Sequence, residues 1–232
     1  MINKFLNTLF PEPCPVCSGR ATDHLTAPIC TECWQNIVPC SLPTCQRCGK
    51  PLMSEFSLTC GNCLNSEPAF KHAKSFGIYD GVLRKAINLF KYYGVKRLSK
   101  PLSDIIMKME LPRVEVLIPV PLFKTRLKQR EFNQSALIAR QLSKYLNLDL
   151  LINCLVKVKD TTPQVGLTSR ERFKNIKNAF KVSRKNLIKD KDIMLIDDVV
   201  TTGSTIRECS KVLKNSGAAD IHVISLAHGI SE

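Results

Sequence analysis

The run Ile193-Met194-Leu195-Ile196-Asp197-Asp198-Val199-Val200-Thr201-Thr202-Gly203-Ser204-Thr205 limits the fold more than any other part of this 232-residue chain. An apolar strand leads into two adjacent carboxylates, then a turn of hydroxyls with one glycine, then a helical pattern over residues 204–215. Gly217 follows as a C-cap, and residues 221–227 read as a further strand. The same order occurs upstream. Residues 114–120 read as a buried strand ending in Pro119-Val120-Pro121, residues 132–146 as a helix and residues 151–158 as a short strand. Strands alternating with helices argue for a mostly parallel α/β sheet flanked by helices. Before it, residues 68–75 read as a hinge and 76–79 as a short extended piece. Residues 81–93 read as a helix with Val82, Ala86, Leu89, Phe90 and Tyr93 at helical spacing, and 98–109 as a second helix. Residues 161–177 are polar and basic, a candidate mobile loop.

In open α/β sheets, ligands bind at the carboxyl ends of strands, where Asp197 and Asp198 sit. Two carboxylates can accept hydrogen bonds from two neighbouring hydroxyls of a sugar. Side chains alternate along a strand, so both acids reach one sugar only if the chain turns at them. Thr201, Thr202, Ser204 and Thr205 add hydroxyls, and Gly203 lets an anion approach the backbone. The following helix presents unpaired N–H groups to it. Together these features point to a phosphorylated sugar. Lys124, Arg126, Lys128 and Arg130 form a basic turn that suits a pyrophosphate, with Asn133 and Gln134 as further donors and Phe132 packing beneath. Gln164 with Arg170 or Arg172 would belong to a lid. The chain lacks the glycine-rich spacing ending in Lys-Ser/Thr of a nucleotide phosphate loop. It also lacks a serine nucleophile elbow, and its four histidines show no triad or ligand spacing.

Nine of the eleven cysteines lie in the first 63 residues. Cys14, Cys17, Cys30 and Cys33 form one set of two CxxC pairs, and Cys45, Cys48, Cys60 and Cys63 a matching one. This is the ligand chemistry of closed structural zinc sites, although thiolates also serve iron–sulfur clusters. Spacing leaves sequential and crossed pairings open. Clustered CxxC pairs argue for a reducing compartment, and no leader or membrane span is expected, which places the protein in the cytoplasm. Cys154 and Cys209 read as buried packing residues. The division falls at 1–67 and 68–232. The first segment carries four Lys/Arg and five Asp/Glu, the second 30 and 15, so the net charge of +14 belongs to the larger segment. Such a field favours polyanions. Lys85, Lys91, Lys96, Arg97 and Lys100, interleaved with Tyr92, form the candidate nucleic-acid surface.

The strand, Asp-Asp and Thr-Thr-Gly-Ser-Thr element resembles the signature of type I phosphoribosyltransferases. That resemblance implies a 5-phosphoribosyl-1-pyrophosphate ligand, with magnesium held chiefly by the ligand's own oxygens. It implies that Asp197 and Asp198 hold the ribose 2- and 3-hydroxyls and that Thr201, Thr202, Gly203, Ser204 and Thr205 hold the 5-phosphate. The paired cysteines, the Pro-x-Pro strand end, the Arg-x-Phe-Asn-Gln element and the run through Gln164, Leu167, Arg172, Asn175, Ala179 and Phe180 resemble a narrower family, the ComF-type competence proteins. This resemblance implies a role in natural transformation and the handling of incoming single-stranded DNA. That family usually has Gly between Arg130 and Phe132; this chain has Glu131. The readings left open are a donor-binding module engaging single-stranded DNA, a phosphoribosyltransferase acting on an unidentified acceptor, and an adaptor docking DNA-uptake or DNA-processing proteins through its zinc module.

Overall fold

A computed structural model describes residues 12–162 and 168–230. Among the described residues, the cysteine-rich segment holds two short helices, α1 (Thr31–Gln35) and α2 (Gly61–Asn65). Then come β1 (His72–Ile78), α3 (Gly81–Tyr92), α4 (Ser99–Ile106), β2 (Val116–Pro119), α5 (Lys124–Arg130), α6 (Gln134–Leu146), β3 (Asp149–Leu150) and β4 (Leu155–Lys157). The chain continues through α7 (Ser169–Ile176), β5 (Phe180–Val182), β6 (Ile193–Val200), α8 (Ser204–Lys214) and β7 (Ile221–His228). Five strands form a parallel sheet in the order β1-β7-β6-β2-β3. Strands β4 and β5 form a separate antiparallel pair.

The β6 strand is buried from Ile193 to Asp198 because both of its faces are covered. Met194 and Ile196 pack with Leu83, Phe90, Leu102 and Ile138 of α3, α4 and α6. Ile193 and Leu195 pack on the other face with Ile206, Cys209 and Leu213 of α8 and with Leu155, Phe180 and Val182 of the small hairpin. The buried positions of α3 are Leu83, Ala86, Ile87 and Phe90, while Tyr93 is exposed, so the inward stripe lies one position away from part of the expected one.

The cysteine-rich segment straddles the sheet edge. Ala21, Ala27, Ile29 and Ile37 join one apolar cluster, while Cys48 packs against the other. Its backbone also meets β1: the Ala73 N–H donates to the Arg47 carbonyl at 2.8 Å, and the Cys40 N–H to the Phe76 carbonyl at 2.8 Å. An open edge strand would otherwise offer unpaired groups to other chains. Gly49 makes this contact possible. Its φ is +69°, and a Cβ there would stand 2.5 Å from the Ala73 carbonyl oxygen.

Several sequence expectations are corrected. Residues 72–75 belong to β1 and not to a hinge, because the ribbon and β7 both pair with that strand. The basic turn is the helix α5. Residues 169–176 of the expected loop form α7, started by a capping box between Thr168 and Glu171. The piece at 151–158 contributes only β4, and that outside the main sheet. The chain does not turn at Asp197 and Asp198; β6 runs through them to Val200. Its facial alternation breaks there instead, since Val199 packs with the cluster of Met194 and Ile196 and Val200 with that of Ile193 and Leu195.

Candidate functional site

Beyond the carboxyl ends of β6 and β2 lies a cleft of ≈ 280 Å³. Asp197, Asp198, Thr201 and Thr205 line one side, and Arg126, Arg130 and Gln134 approach from α5 and α6. Both acids are buried, at 9% and 6% exposure. Asp197 accepts from the Ser135 hydroxyl at 3.2 Å and from the Asp198 N–H at 2.9 Å. Burial, and then the neighbouring Asp198 charge, push its carboxyl up to about 7; Lys91 and these hydrogen bonds work against that shift. Asp198 is paired with Lys91, whose Nζ lies 2.9 Å from Oδ2 and 3.1 Å from Oδ1. Burial is the largest single influence on the Lys91 ammonium and opposes it, but the Asp198 charge and hydrogen bond, with Tyr92 and Asp197, together outweigh it and hold the Lys91 pKa above its ordinary value.

The turn after β6 has the backbone form its residues suggest. Gly203 sits at φ +74°, in the left-handed region that glycine adopts without cost. The Thr202 hydroxyl donates to Ser204 Oγ at 3.2 Å and accepts from the Ser204 N–H at 3.4 Å. Arg172, on α7, donates through Nη1 to the Thr201 hydroxyl at 3.2 Å, which brings that candidate to the site. Gln164 lies outside the described residues, as does the Arg170 side chain.

Asn133 is committed elsewhere. Its Oδ1 caps α6 by accepting from the Ala136 N–H at 3.3 Å, and its Nδ2 donates to the Val120 carbonyl at 2.9 Å. It ties α6 to the end of β2 and does not line the cleft. Phe132 is buried against Phe90, with ring centroids 5.7 Å apart. Glu131, where the family usually has Gly, holds φ +64° and points its carboxylate at Lys96, 3.4 Å away, outside the cleft.

The six candidate nucleic-acid residues do not share one face. Lys91 turns into the cleft. Arg97 Nε donates to the Ala27 carbonyl at 3.1 Å, tying the ribbon to the larger unit. Lys100 pairs with Asp104 at 3.3 Å, and Lys96 pairs with Glu131. Lys85 and Tyr92 remain exposed. Tyr92 carries the Arg130 guanidinium 5.1 Å from its ring centroid, and both line a groove of ≈ 630 Å³ with Tyr93 and Arg126. Lys157 is a cleft residue that sequence reasoning missed. It sits on β4, donates to the Thr161 hydroxyl at 2.7 Å, and is held below its ordinary pKa by burial and then by Arg126. Only its place as a lone lysine in an apolar run marked it.

In each cysteine set the four sulfurs lie within 4.8 Å of one another, in the sequential pairing. Cys17 and Cys30 Sγ are 3.6 Å apart, as are Cys48 and Cys60. Tetrahedral zinc with bonds of about 2.3 Å needs sulfurs about 3.8 Å apart, so the donor sets fit that ion. Four thiolates fill such a site and leave no position for a reacting water. Cys154 and Cys209 are buried packing residues, and burial pushes the Cys209 thiol well up. Among the described residues no helix is long and apolar enough to cross a membrane.

Residues 5–64 match the double zinc ribbon domain and residues 133–232 the phosphoribosyl transferase domain. The chain is 35% identical over 210 residues to competence protein F of Haemophilus influenzae, covering 86% of this chain and 90% of that protein. It belongs to the ComF-type competence protein family. Two further relatives are the DNA utilization protein YhgH of Escherichia coli K12, 30% identical over 77% of this chain and 81% of that one, and the competence protein ComFC of Bacillus subtilis. The latter is 23% identical over 82% of this chain and 80% of its own. In this ComF-type chain, the acids and the turn of the cleft fall within the phosphoribosyl transferase match, Lys91, Arg126 and Arg130 precede it, and the sulfur clusters fall within the zinc-ribbon match.

Proposed function

We propose that this ComF-type protein binds 5-phosphoribosyl-1-pyrophosphate with magnesium and uses that ability in the cytoplasm while handling single-stranded DNA during natural transformation. The observation that carries the reading is the shared cleft: two buried acids with Thr201 and Thr205 of the following turn at one end, Arg126 and Arg130 at the other. Asp197 and Asp198 accept from the ribose 2- and 3-hydroxyls. A carboxylate has about four acceptor sites, so Asp198 keeps Lys91 while taking a hydroxyl. The turn's amides and hydroxyls hold the 5-phosphate. Arg126 and Arg130 neutralise the pyrophosphate, with Gln134 and Arg172 completing the enclosure. Magnesium would ride on the ligand's pyrophosphate and ribose oxygens and supply further neutralisation there. Nothing in this arrangement requires a covalent nucleophile: positioning and electrostatic clamping suffice for donor binding and for a transfer step.

Residues 1–67 form the zinc module, in which zinc is structural, and residues 68–232 the donor-binding unit. The names of the relatives, competence and DNA utilization proteins, support the DNA role. The groove carrying Tyr92, Tyr93, Arg126 and Arg130 supports it chemically, since exposed rings stack bases and cations follow the backbone.

Calorimetry with the magnesium-loaded donor tests the reading. Binding is expected in the native protein and loss of it in an Asp197→Asn, Asp198→Asn double variant. Absence of donor binding by the native protein refutes it. Affinity for single-stranded DNA should fall steeply with salt, and salt-insensitive binding removes the basic groove from the account.

A further inference from the structure

The second zinc ribbon faces the Thr201–Thr205 turn across a cavity of ≈ 50 Å³, enough for a phosphate group but not for a nucleoside. Lys50, Asn62 and the zinc ligands Cys48 and Cys60 line it from the ribbon; Thr201, Thr202 and Gly203 line it from the turn. No Asp or Glu borders it among the described residues. The two sides are clamped together by Arg207, in the first turn of α8. Its guanidinium donates to Cys63 Sγ at 2.9 Å and to the Ser66 carbonyl at 2.8 Å. A zinc ion with four thiolates carries a net charge of about −2, which would repel a nearby phosphate. Arg207, with its single positive charge held on Cys63, offsets about half of that charge.

The Lys50 side chain is half-buried, and its ammonium makes no hydrogen bond or ion pair among the described residues. Its charge reaches His228 in the same wall, whose imidazole is held below its ordinary value by burial and, more weakly, by Lys50. Lys50 brings a second cation to a cavity that no Asp or Glu borders among the described residues, opposite a turn of backbone donors, so the zinc–thiolate charge is opposed there by both Arg207 and Lys50. We propose that Lys50, with Asn62, is the second wall of the phosphate site, so that the phosphomonoester end of the ligand is gripped by the turn from one side and by the zinc ribbon from the other. This rests on the reading of the turn as the 5-phosphate site. It makes the second ribbon part of the binding machinery, because zinc fixes the knuckle that carries Lys50.

The test uses the full zinc-loaded chain and calorimetry with three probes: the magnesium-loaded donor, ribose 5-phosphate and inorganic pyrophosphate. Lys50→Met should weaken ribose 5-phosphate and donor by about tenfold or more, the usual scale for a charge-assisted hydrogen bond. It should leave pyrophosphate unchanged, and Lys50→Arg should stay close to the native protein. Zinc content and thermal midpoint are measured alongside; should Lys50→Met lose zinc, Asn62→Ala on the same wall takes its place, with loss of ribose 5-phosphate affinity again expected. Native-like ribose 5-phosphate binding in these variants overturns the proposal while leaving the donor site standing, and an equal loss of pyrophosphate overturns it too. If the native protein binds neither donor nor ribose 5-phosphate, the reading of the turn fails and this wall with it.

Discussion

Replacing Asp197 by Asn should change how stability depends on pH in a direction opposite to that of most carboxylates. The Asp197 carboxyl moves from an ordinary 3.8 to about 7 on folding, chiefly through burial and then through the Asp198 charge. The folded protein therefore holds this proton more tightly than the unfolded chain does. The associated stabilisation is fully present below pH 3.8 and is lost as pH rises through 7. A displacement of that size is worth about 4 kcal/mol when complete. Asn keeps an oxygen to accept from Ser135 and the Asp198 N–H but cannot ionise. Urea midpoints of both proteins, measured from pH 5 to 8 with zinc present, isolate the effect, because zinc–thiolate protonation is common to both and cancels. The stability of the native protein relative to Asp197→Asn should fall by about 1.4 kcal/mol per pH unit between pH 5 and 7, then level off. A flat difference, or one that rises with pH, would show that burial does not hold this proton and would refute the reasoning. The same proton bears on function. Only the ionised carboxylate accepts a hydrogen bond at every oxygen site, so the proposed donor binding should strengthen as pH rises through 7.

Three other substitutions test separate parts of the structure. Glu131→Gly should stabilise the protein by about 1 kcal/mol, because a non-glycine residue in the left-handed region is strained and the exposed pair with Lys96 contributes little; a thermal midpoint higher by a few degrees is expected, and a lower one contradicts this. Lys91→Met should cost about 3–5 kcal/mol in urea unfolding at pH 8 by leaving Asp198 buried without its cation, and the Lys91→Met, Asp198→Asn pair should recover much of that loss; a double-variant loss equal to the sum of the two single losses would mean that the two residues are not coupled. Gly49→Ala should free the second ribbon from β1, seen as faster hydrogen exchange at Ala73, whose N–H donates to Arg47; unchanged protection there would mean the close approach is not needed.

What the sequence disclosed was local. The β6 element with its acids and turn, and the four CxxC knuckles, each declare themselves within a dozen residues through side-chain type and glycine placement. The sequential cysteine pairing needed the fold, but each knuckle did not. What stayed hidden joins distant segments. Lys91 reads as one of several lysines beside aromatics, and only the packing of α3 across β6 turns it onto Asp198, 107 positions away. Arg97 likewise reads as a free cation until the ribbon brings the Ala27 carbonyl to it. Helix α5 was legible in principle, since Lys124, Arg126, Leu127, Lys128 and Gln129 are all helix formers, yet the alternate spacing of its cations drew attention to charge instead of propensity. The start of β1, His72-Ala73-Lys74-Ser75, alternates exposed and buried positions but has only Ala73 as an apolar residue, too weak a signal to read, and its edge partners, β7 and the cysteine-rich segment, lie elsewhere in the chain. A strand that owes one of its edges to the ribbons cannot be a flexible joint. The ribbons and the sheet therefore hold each other in place, and the placement of Lys50 and Arg207 beside the Thr201–Thr205 turn follows from that contact.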